Sequence, residues 1–194
     1  MVNITVMVSG GGTNLQAIID GINEKRIRNA KINLVLSSNP DAYALKRAEK
    51  QNINTVVINR DTEADPDKRT KQILAALEEA DTDLIVLAGY MQILPLPVVM
   101  KYERRIINVH PSLIPKHCGK GFYGRKVHES VISSGDKQSG ATVHYVDEGV
   151  DTGDIIIQKE LDVLEDDTAE TLAERVLEIE HLILVSAINR IVNS

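Results

Sequence analysis

The sequence has little cysteine, no excess of basic residues and no long apolar run. The single cysteine, Cys118, excludes an internal disulfide framework and a zinc site built from several cysteines. Lys and Arg total 22 against 28 Asp and Glu, a net charge of −6, which argues against non-specific nucleic-acid binding. No apolar run reaches the roughly 18 residues of a membrane-spanning helix. We therefore expect a cytoplasmic protein that binds neither membranes nor nucleic acid.

What is present is typical of one globular domain. The chain has 194 residues, 43% of them hydrophobic, which is enough to bury a full core. Ser9 and three glycines follow the first apolar run after a few residues, so the N-terminus predicts a strand rather than a cleavable signal peptide.

Short β-branched runs alternate with helical patterns through the first half of the chain. Strands are predicted at 4–8, 31–37, 55–58 and 83–88. Helices are predicted after Gly12, over 41–51 and from Pro66 onward. Asp65 is the predicted N-cap of the helix that begins at Pro66. This alternating order implies a parallel sheet with right-handed crossovers.

The second half predicts an antiparallel addition to that sheet. A brief strand at 105–109 and a helix at 125–134 precede two strand-like runs, 141–146 and 154–161. Asp167 and Glu170 have the spacing of a capping box and predict the start of a long C-terminal helix. The predicted fold is α/β: an open, mostly parallel, Rossmann-like sheet with helices on both faces and an antiparallel C-terminal hairpin.

A glycine-rich segment, Gly10-Gly11-Gly12-Thr13-Asn14, separates the first strand from the first helix. Glycines allow a tight turn, and the helix N-terminus offers free N–H groups to a phosphate. The Lys-Ser/Thr pair of a P-loop and the third glycine of a dinucleotide fingerprint are absent. The segment predicts binding of a phosphate monoester. The alternative is a plain turn with Thr13 as helix cap.

Asn108 and His110 stand at the carboxyl end of a short predicted strand, where ligands bind in open α/β sheets. Strand alternation points both side chains to the same side. An amide beside an imidazole can polarise a carbonyl and hold an oxyanion. The alternative is a histidine whose hydrogen bonds are satisfied within a loop.

His144 and the acidic stretch 147–154 form a third candidate group. A carboxylate on this glycine-containing loop could set the charge state of a histidine. The stretch could equally be a solvated turn, and it lacks the ligand spacing of an EF-hand calcium loop. Spacing alone does not choose among these interpretations.

Two weaker signals concern a cysteine and a helical pair. Cys118 lies between Lys116 and Lys120, which could activate a nucleophilic thiol, but one cysteine in a loop is more often incidental. Glu180 and His181 lie in the amphipathic C-terminal helix, where we expect surface placement.

Three segments together resemble the glycinamide ribonucleotide formyltransferase family: SGGGTNLQ at 9–16, NVHPSLIP at 108–115 and ATVHYVDEGVDTG at 141–153. LAGYMQIL at 87–94 and EIEH at 178–181 extend the resemblance. It implies the formyltransferase fold and transfer of the formyl group of 10-formyltetrahydrofolate to the amine of glycinamide ribonucleotide, in purine (IMP) biosynthesis. It implies no metal, and it leaves the oligomeric state open, with a homodimer as one possibility.

The resemblance also implies site residues. The catalytic residues would be Asn108, His110 and Asp151. Those that bind the phosphate and the ribonucleotide would be Gly11, Gly12, Thr13, Asn14 and Glu180. Those that line the folate pocket would be Met91, Gln92, Ile93, Leu94, Val146 and Asp147. Residues 1–194 would then be one domain, with a phosphate-binding half at 1–100 and a catalytic and folate-binding half at 101–194.

The implied chemistry is acyl transfer in which protonated His110 and the Asn108 amide hold the oxyanion, and Asp151 raises the pKa of His110. Asp151 is preferred to Asp147 because, as in the family, it precedes a small residue and a glycine. Gln92 departs from the family, in which many members have arginine, and Leu177 replaces a polar residue that can help hold the phosphate. Hydrolysis of formyltetrahydrofolate and non-catalytic binding of a phosphorylated metabolite are the alternative functions.

Overall fold

The computed structural model describes residues 1–194 and contains one seven-stranded sheet flanked by six helices. In chain order the elements are β1 (Val2–Val8), α1 (Thr13–Asn23), β2 (Ala30–Ser37), α2 (Tyr43–Lys50), β3 (Asn54–Val57), α3 (Pro66–Glu79), β4 (Leu84–Leu87), α4 (Leu96–Lys101), β5 (Ile106–His110), α5 (Arg125–Ser134), β6 (Gln138–Tyr145), β7 (Ile155–Asp162) and α6 (Ala169–Val192). None of the helices is long and apolar enough to cross a membrane.

The strand order is β3-β2-β1-β4-β5-β6-β7, which confirms the predicted fold class. The strands from β1 to β5 pair in parallel, and β6 pairs antiparallel with both β5 and β7. The chain moves outward from β1 to β3 and then returns to β4 on the other side of β1. In open α/β sheets, ligands bind at the carboxyl edge beside such a reversal.

Both faces of the sheet are covered. One apolar cluster packs the sheet against α1, α2, α5 and α6, and a smaller one packs it against α3 and α4. Every residue of β4 is buried, as expected of a central parallel strand with helices on both sides. The loops that follow the parallel strands therefore meet at the carboxyl edge of the sheet.

Helix boundaries show what local signals could and could not predict. Asp65 caps α3 by accepting the backbone N–H groups of Asp67 and Lys68, as predicted. The predicted cap of α6 is wrong by one residue: Thr168 is the N-cap and forms the capping box with Thr171. Asp167 is occupied instead with closing the preceding turn, where it accepts the N–H of Leu164. The six-residue helix α4 was not predicted, because it is too short to show a helical period.

Candidate functional site

The turn between β1 and α1 requires glycine at one position and leaves space at two others. Gly12 is the N-cap of α1 with φ of 72°, and a Cβ there would lie 2.6 Å from the Cβ of Ala44. Its left-handed backbone and the close approach of α2 both exclude a side chain. A Cβ on Gly10 or Gly11 would meet no atom within 4 Å. Packing within the protein therefore does not explain these two glycines.

The N-terminus of α1 presents unpaired donors. No side chain caps the helix, so the alternative in which Thr13 serves as the cap is wrong. The N–H groups of Thr13, Asn14 and Leu15 have no acceptor within the protein. Arg47 donates from Nε to the carbonyl oxygen of Gly11 at 2.9 Å, which holds the loop against α2. Free N–H groups at the positive end of a helix dipole form an anion-binding site.

Glu180 lies buried beside this turn, because α6 packs against α1. Asn14 donates from Nδ2 to Glu180 Oε2 at 2.7 Å, and the Oδ1 atom of Asn14 has no partner. Burial raises the pKa of Glu180 to about 7, and the hydrogen bond from Asn14 opposes this only in part. The predicted surface placement is wrong for Glu180, which is 8% exposed. The neighbouring His181 is half-buried, and burial lowers its pKa.

Asn108 and His144 face one another across the β5–β6 pair. Asn108 Nδ2 lies 3.2 Å from His144 Nε2, while His144 Nδ1 lies 2.8 Å from the carbonyl oxygen of Tyr145. A carbonyl can only accept, so Nδ1 of His144 carries the hydrogen. Nε2 of the neutral ring then accepts from Asn108. His110, two residues beyond Asn108, is buried on the same side of β5, as strand alternation predicted.

The β6–β7 loop brings Asp151 to these side chains. Its Oδ2 lies 3.6 Å from His110 Nδ1 and accepts the N–H of Gly119 at 2.9 Å. Its Oδ1 lies 3.5 Å from His144 Nε2 and 3.4 Å from Asn108 Nδ2. Asp151 has φ of 58°, a left-handed conformation that turns the loop inward.

The other acidic candidate stays within its own loop. Asp147 accepts from the N–H of Gly149 at 3.0 Å and from the hydroxyl of Thr152 at 2.6 Å. A Cβ on Gly153 would collide with the Tyr145 carbonyl oxygen, so glycine is needed where the loop closes. Of the two aspartates, only Asp151 joins the cluster with Asn108 and His110.

Burial and the neighbouring groups have opposite effects on the pKa values of His110 and Asp151. Burial lowers the pKa of His110, and the charge of Asp151 and the hydrogen bond to the His117 carbonyl oppose this without reversing it. The charge of Asp151 thus raises the pKa of His110, as predicted, but burial outweighs this effect and the pKa lies below its ordinary value. For Asp151 itself, burial raises the pKa, but the contact with His144, the charge of His110 and the Gly119 N–H together lower it. Asp151 is ionised at neutral pH, where His110 is mostly neutral.

One cavity of about 360 Å³ contains this cluster. Its wall includes all six residues predicted for the folate pocket: Met91, Gln92, Ile93, Leu94, Val146 and Asp147. The N–H of Met91 donates to Ser9 Oγ at 2.8 Å, which connects this wall to the glycine-rich turn after β1. The wall also includes Phe122 and Tyr123, which the sequence analysis did not single out. Neither lies in one of the motifs, and their only signal is their position in the loop that follows NVHPSLIP.

The Cys118 thiol donates to the Pro115 carbonyl oxygen at 3.3 Å, and burial, followed by the charge of Asp151, raises its pKa. A thiol in this environment stays protonated, which favours the incidental interpretation. No group of three or more His, Cys, Asp or Glu residues is arranged to hold a metal ion.

The strand order, the free helix N-terminus and the Asn-His-Asp cluster at one edge define an open α/β protein with a site suited to acyl transfer. Comparison with known families identifies the particular one. The chain belongs to the formyl transferase family, whose model matches residues 2–188.

Individual relatives agree with this assignment. The phosphoribosylglycinamide formyltransferase of Vigna unguiculata is 35% identical over 185 residues, which cover 95% of this chain and 59% of that protein. The trifunctional purine biosynthetic protein adenosine-3 of Drosophila melanogaster is 38% identical over 98% of this chain and 14% of its own length. The chain thus spans only part of these curated relatives. Glycinamide ribonucleotide transformylase 1 of Symbiobacterium toebii superposes with a TM-score of 0.93 at 37% identity, covering 100% of this chain and 88% of that one.

Proposed function

We propose that this chain transfers the formyl group of 10-formyltetrahydrofolate to the amine of glycinamide ribonucleotide, a reaction of purine biosynthesis. The observation that carries the proposal is one cavity in which Asn108, His110 and Asp151 lie beside the residues expected to bind folate. The names of the family and of the relatives described above support the same reaction.

The ribonucleotide would bind at the β1–α1 turn. Its phosphate would accept hydrogen bonds from the free N–H groups of Gly11, Gly12, Thr13 and Asn14. Leu177 offers no polar atom, so the backbone would carry most of this contact. Glu180 and the unpartnered Oδ1 of Asn14 would bind polar groups of the ribonucleotide.

The folate would occupy the cavity. Leu94 is buried and Ile93 is 74% exposed, so the 91–94 segment would offer the pteridine ring an apolar edge. Gln92 brings no charge to the carboxylates of the glutamate tail. Lys120 is the one lysine or arginine on the wall and would partly replace an arginine there.

In the first chemical step, the amine of the ribonucleotide attacks the formyl carbon. A C–N bond forms, and the carbonyl electron pair moves onto the formyl oxygen. Asn108 Nδ2 lies 3.4 Å from Asp151 Oδ1 in the structure. In the reaction, this N–H would donate to the formyl oxygen instead. In its protonated, imidazolium form, His110 would donate from Nδ1, because its Nε2–H is already bound to the His117 carbonyl oxygen. Such donors are worth about 10²–10³ in rate each.

In the second step, the intermediate loses the bond between the formyl carbon and N10 of the folate. The attacking amine must give up a proton, and N10 must gain one. Asp151 is ionised and lies next to His110, so it would accept the amine proton and pass it through water to N10. Its negative charge also favours the imidazolium form of His110 as the oxyanion develops.

Incubation with 10-formyltetrahydrofolate, with and without glycinamide ribonucleotide, tests the proposal. We expect tetrahydrofolate to form only when the ribonucleotide is present. Formate release without it would indicate the hydrolase alternative. Absence of turnover in both mixtures, with binding of the ribonucleotide retained, would indicate a binding module.

The division of the domain into a phosphate-binding half, 1–100, and a catalytic and folate-binding half, 101–194, is part of the same proposal. The two halves share their sites, because Glu180 contacts Asn14 and the 91–94 segment lines the catalytic cavity. The cytoplasmic location and the homodimer stay predictions.

A further inference from the structure

A histidine that the proposed reaction does not use lies behind the Asn-His-Asp cluster. His117 belongs to the loop after β5, and both of its ring nitrogens are engaged. Nδ1 lies 2.8 Å from Ser130 Oγ on α5, and Nε2 lies 2.9 Å from Asp136 Oδ2, just after that helix. The His117 side chain is only 12% exposed. The ring is therefore clamped between two points of the α5 region.

The backbone of the same loop contacts both titratable groups of the cluster. The His117 carbonyl oxygen lies 3.0 Å from His110 Nε2. Two residues later, the N–H of Gly119 donates to Asp151 Oδ2 at 2.9 Å. Any movement of the loop that carries His117 thus displaces a hydrogen bond to His110 and another to Asp151.

The contact with the carbonyl decides which nitrogen of His110 carries the hydrogen. A carbonyl oxygen only accepts, so Nε2 of His110 is protonated in the neutral ring. Nδ1 then faces the Asp151 carboxylate with its lone pair, and it is the nitrogen that gains a proton when His110 becomes charged. The loop therefore keeps Nδ1 available beside Asp151, as the proposed reaction requires.

We propose that His117 is a positioning residue for formyl transfer: its clamped ring holds the 117–119 backbone where that backbone fixes the His110 tautomer and the Asp151 carboxylate. The effect on rate rests on the proposed function. The effect on the tautomer does not, because it can be measured without any substrate.

Lys116 and His117 both contact Asp136, but only the His117 side chain is buried. Lys116 Nζ lies 3.2 Å from Asp136, and the Lys116 side chain is 66% exposed. Exposed ion pairs of this kind contribute little to the free energy of folding. The His117 ring also meets Phe122 edge-on, with centroids 6.4 Å apart, and Phe122 lines the cavity. A phenylalanine at 117 would keep that packing and remove the two polar contacts.

The test compares His117→Phe, Asp136→Ala and the control Lys116→Ala with the parent chain. Ring ¹⁵N chemical shifts report the tautomer of neutral His110, and steady-state kinetics report kcat and both KM values. We expect the parent to be the Nε2–H tautomer and His117→Phe to show a mixture of tautomers. We expect kcat of His117→Phe to fall about tenfold to a hundredfold, since small displacements of reacting groups have effects of this size. The ribonucleotide KM of His117→Phe should equal that of the parent. Lys116→Ala should match the parent in the His110 tautomer, in kcat and in both KM values.

An unchanged His110 tautomer in folded His117→Phe overturns the proposal, whether or not kcat falls. If circular dichroism shows that His117→Phe does not fold, Asp136→Ala, which removes the partner of His117 Nε2, carries the same test. Loss of folding in both variants would show that the clamp stabilises the fold rather than positions the cluster, and would also overturn it. A parent chain that does not transfer formyl groups would refute the proposed function while leaving the tautomer result intact.

Discussion

The two ends of the site are built in different ways. At the β1–α1 end, the ligand-binding groups are backbone N–H groups at a helix N-terminus, made accessible by glycines. At the β5–β7 end, they are the side chains of Asn108, His110 and Asp151, brought together by antiparallel pairing and a left-handed loop residue. The first end follows from one local turn of chain, whereas the second needs three strands and two loops.

This difference implies different sensitivities to substitution. A backbone site tolerates changes of side chain that keep the turn, but it responds to a charge introduced at the helix N-terminus. A side-chain site responds to the loss of a single charge even when the shape is kept, because the charge itself shifts the pKa values of the neighbouring groups. The substitutions below test this contrast, from the largest expected effect to the smallest.

Asp151→Asn should have the largest effect, because it removes the cluster's ionised carboxylate without changing its shape. We expect kcat to fall by about 10³, within the range for loss of acid–base catalysis. The pKa of His110, measured by NMR, should fall further below its ordinary value, because the Asp151 charge raises it. Asp147→Asn is the matched control and should leave the histidine nearly unchanged. A lower His110 pKa in the Asp147 variant alone would show that Asp147, and not Asp151, acts on His110.

Glu180 is the buried carboxyl group beside the β1–α1 turn, and Glu180→Gln removes its titration. The folded pKa of about 7 lies above the ordinary value of 4.5, so the folded chain holds more protons than the unfolded one between these pH values. Stability should therefore fall as pH rises from about 4.5 to about 7, by about 3 kcal/mol at about 1.4 kcal/mol per pKa unit. Denaturant titrations of parent and variant at pH values across this window measure the effect. Parallel curves for parent and variant would mean that Glu180 does not titrate there.

His110→Ala removes an oxyanion donor from the side-chain end. We expect kcat to fall by about 10² with folate binding largely kept, because the contact is made mainly in the transition state. Steady-state kinetics and folate titration separate the two effects. Cys118→Ala is the control and should remain active. A dead Cys118 variant beside a normal His110 variant would overturn the mechanism.

Thr13→Asp introduces a negative charge at the helix N-terminus. The charge favours the helix dipole, so folding should not suffer, but it repels the phosphate. We expect the ribonucleotide KM to rise at least about tenfold, roughly 1.4 kcal/mol, and the folate KM to stay nearly the same. Thr13→Asn, which has the same shape without the charge, should behave much more like the parent. Equal effects of Thr13→Asp on both KM values would contradict the assignment of the two ends.

Sequence patterns predicted the parts of the site that depend on local geometry. Alternation along β5 put Asn108 and His110 on one side, and the Asp65-Pro66 pair located the start of α3. Spacing could not separate Asp147 from Asp151, because both lie on one loop and only its folded path shows which carboxylate turns inward. The same limit applies to Glu180, whose burial results from the packing of α6 on α1.

The sequence by itself determined the order of the strands and of the longer helices, the glycine-rich turn and the identity of the polar groups, since each of these depends on short-range periodicity or residue type. Only the tertiary structure decided how those groups behave. Burial, and not the nearby carboxylate, sets the direction of the His110 pKa, and a carbonyl in the 116–124 loop sets its tautomer. Desolvation and hydrogen-bond partners depend on atoms distant in sequence, which is why no local pattern could supply them.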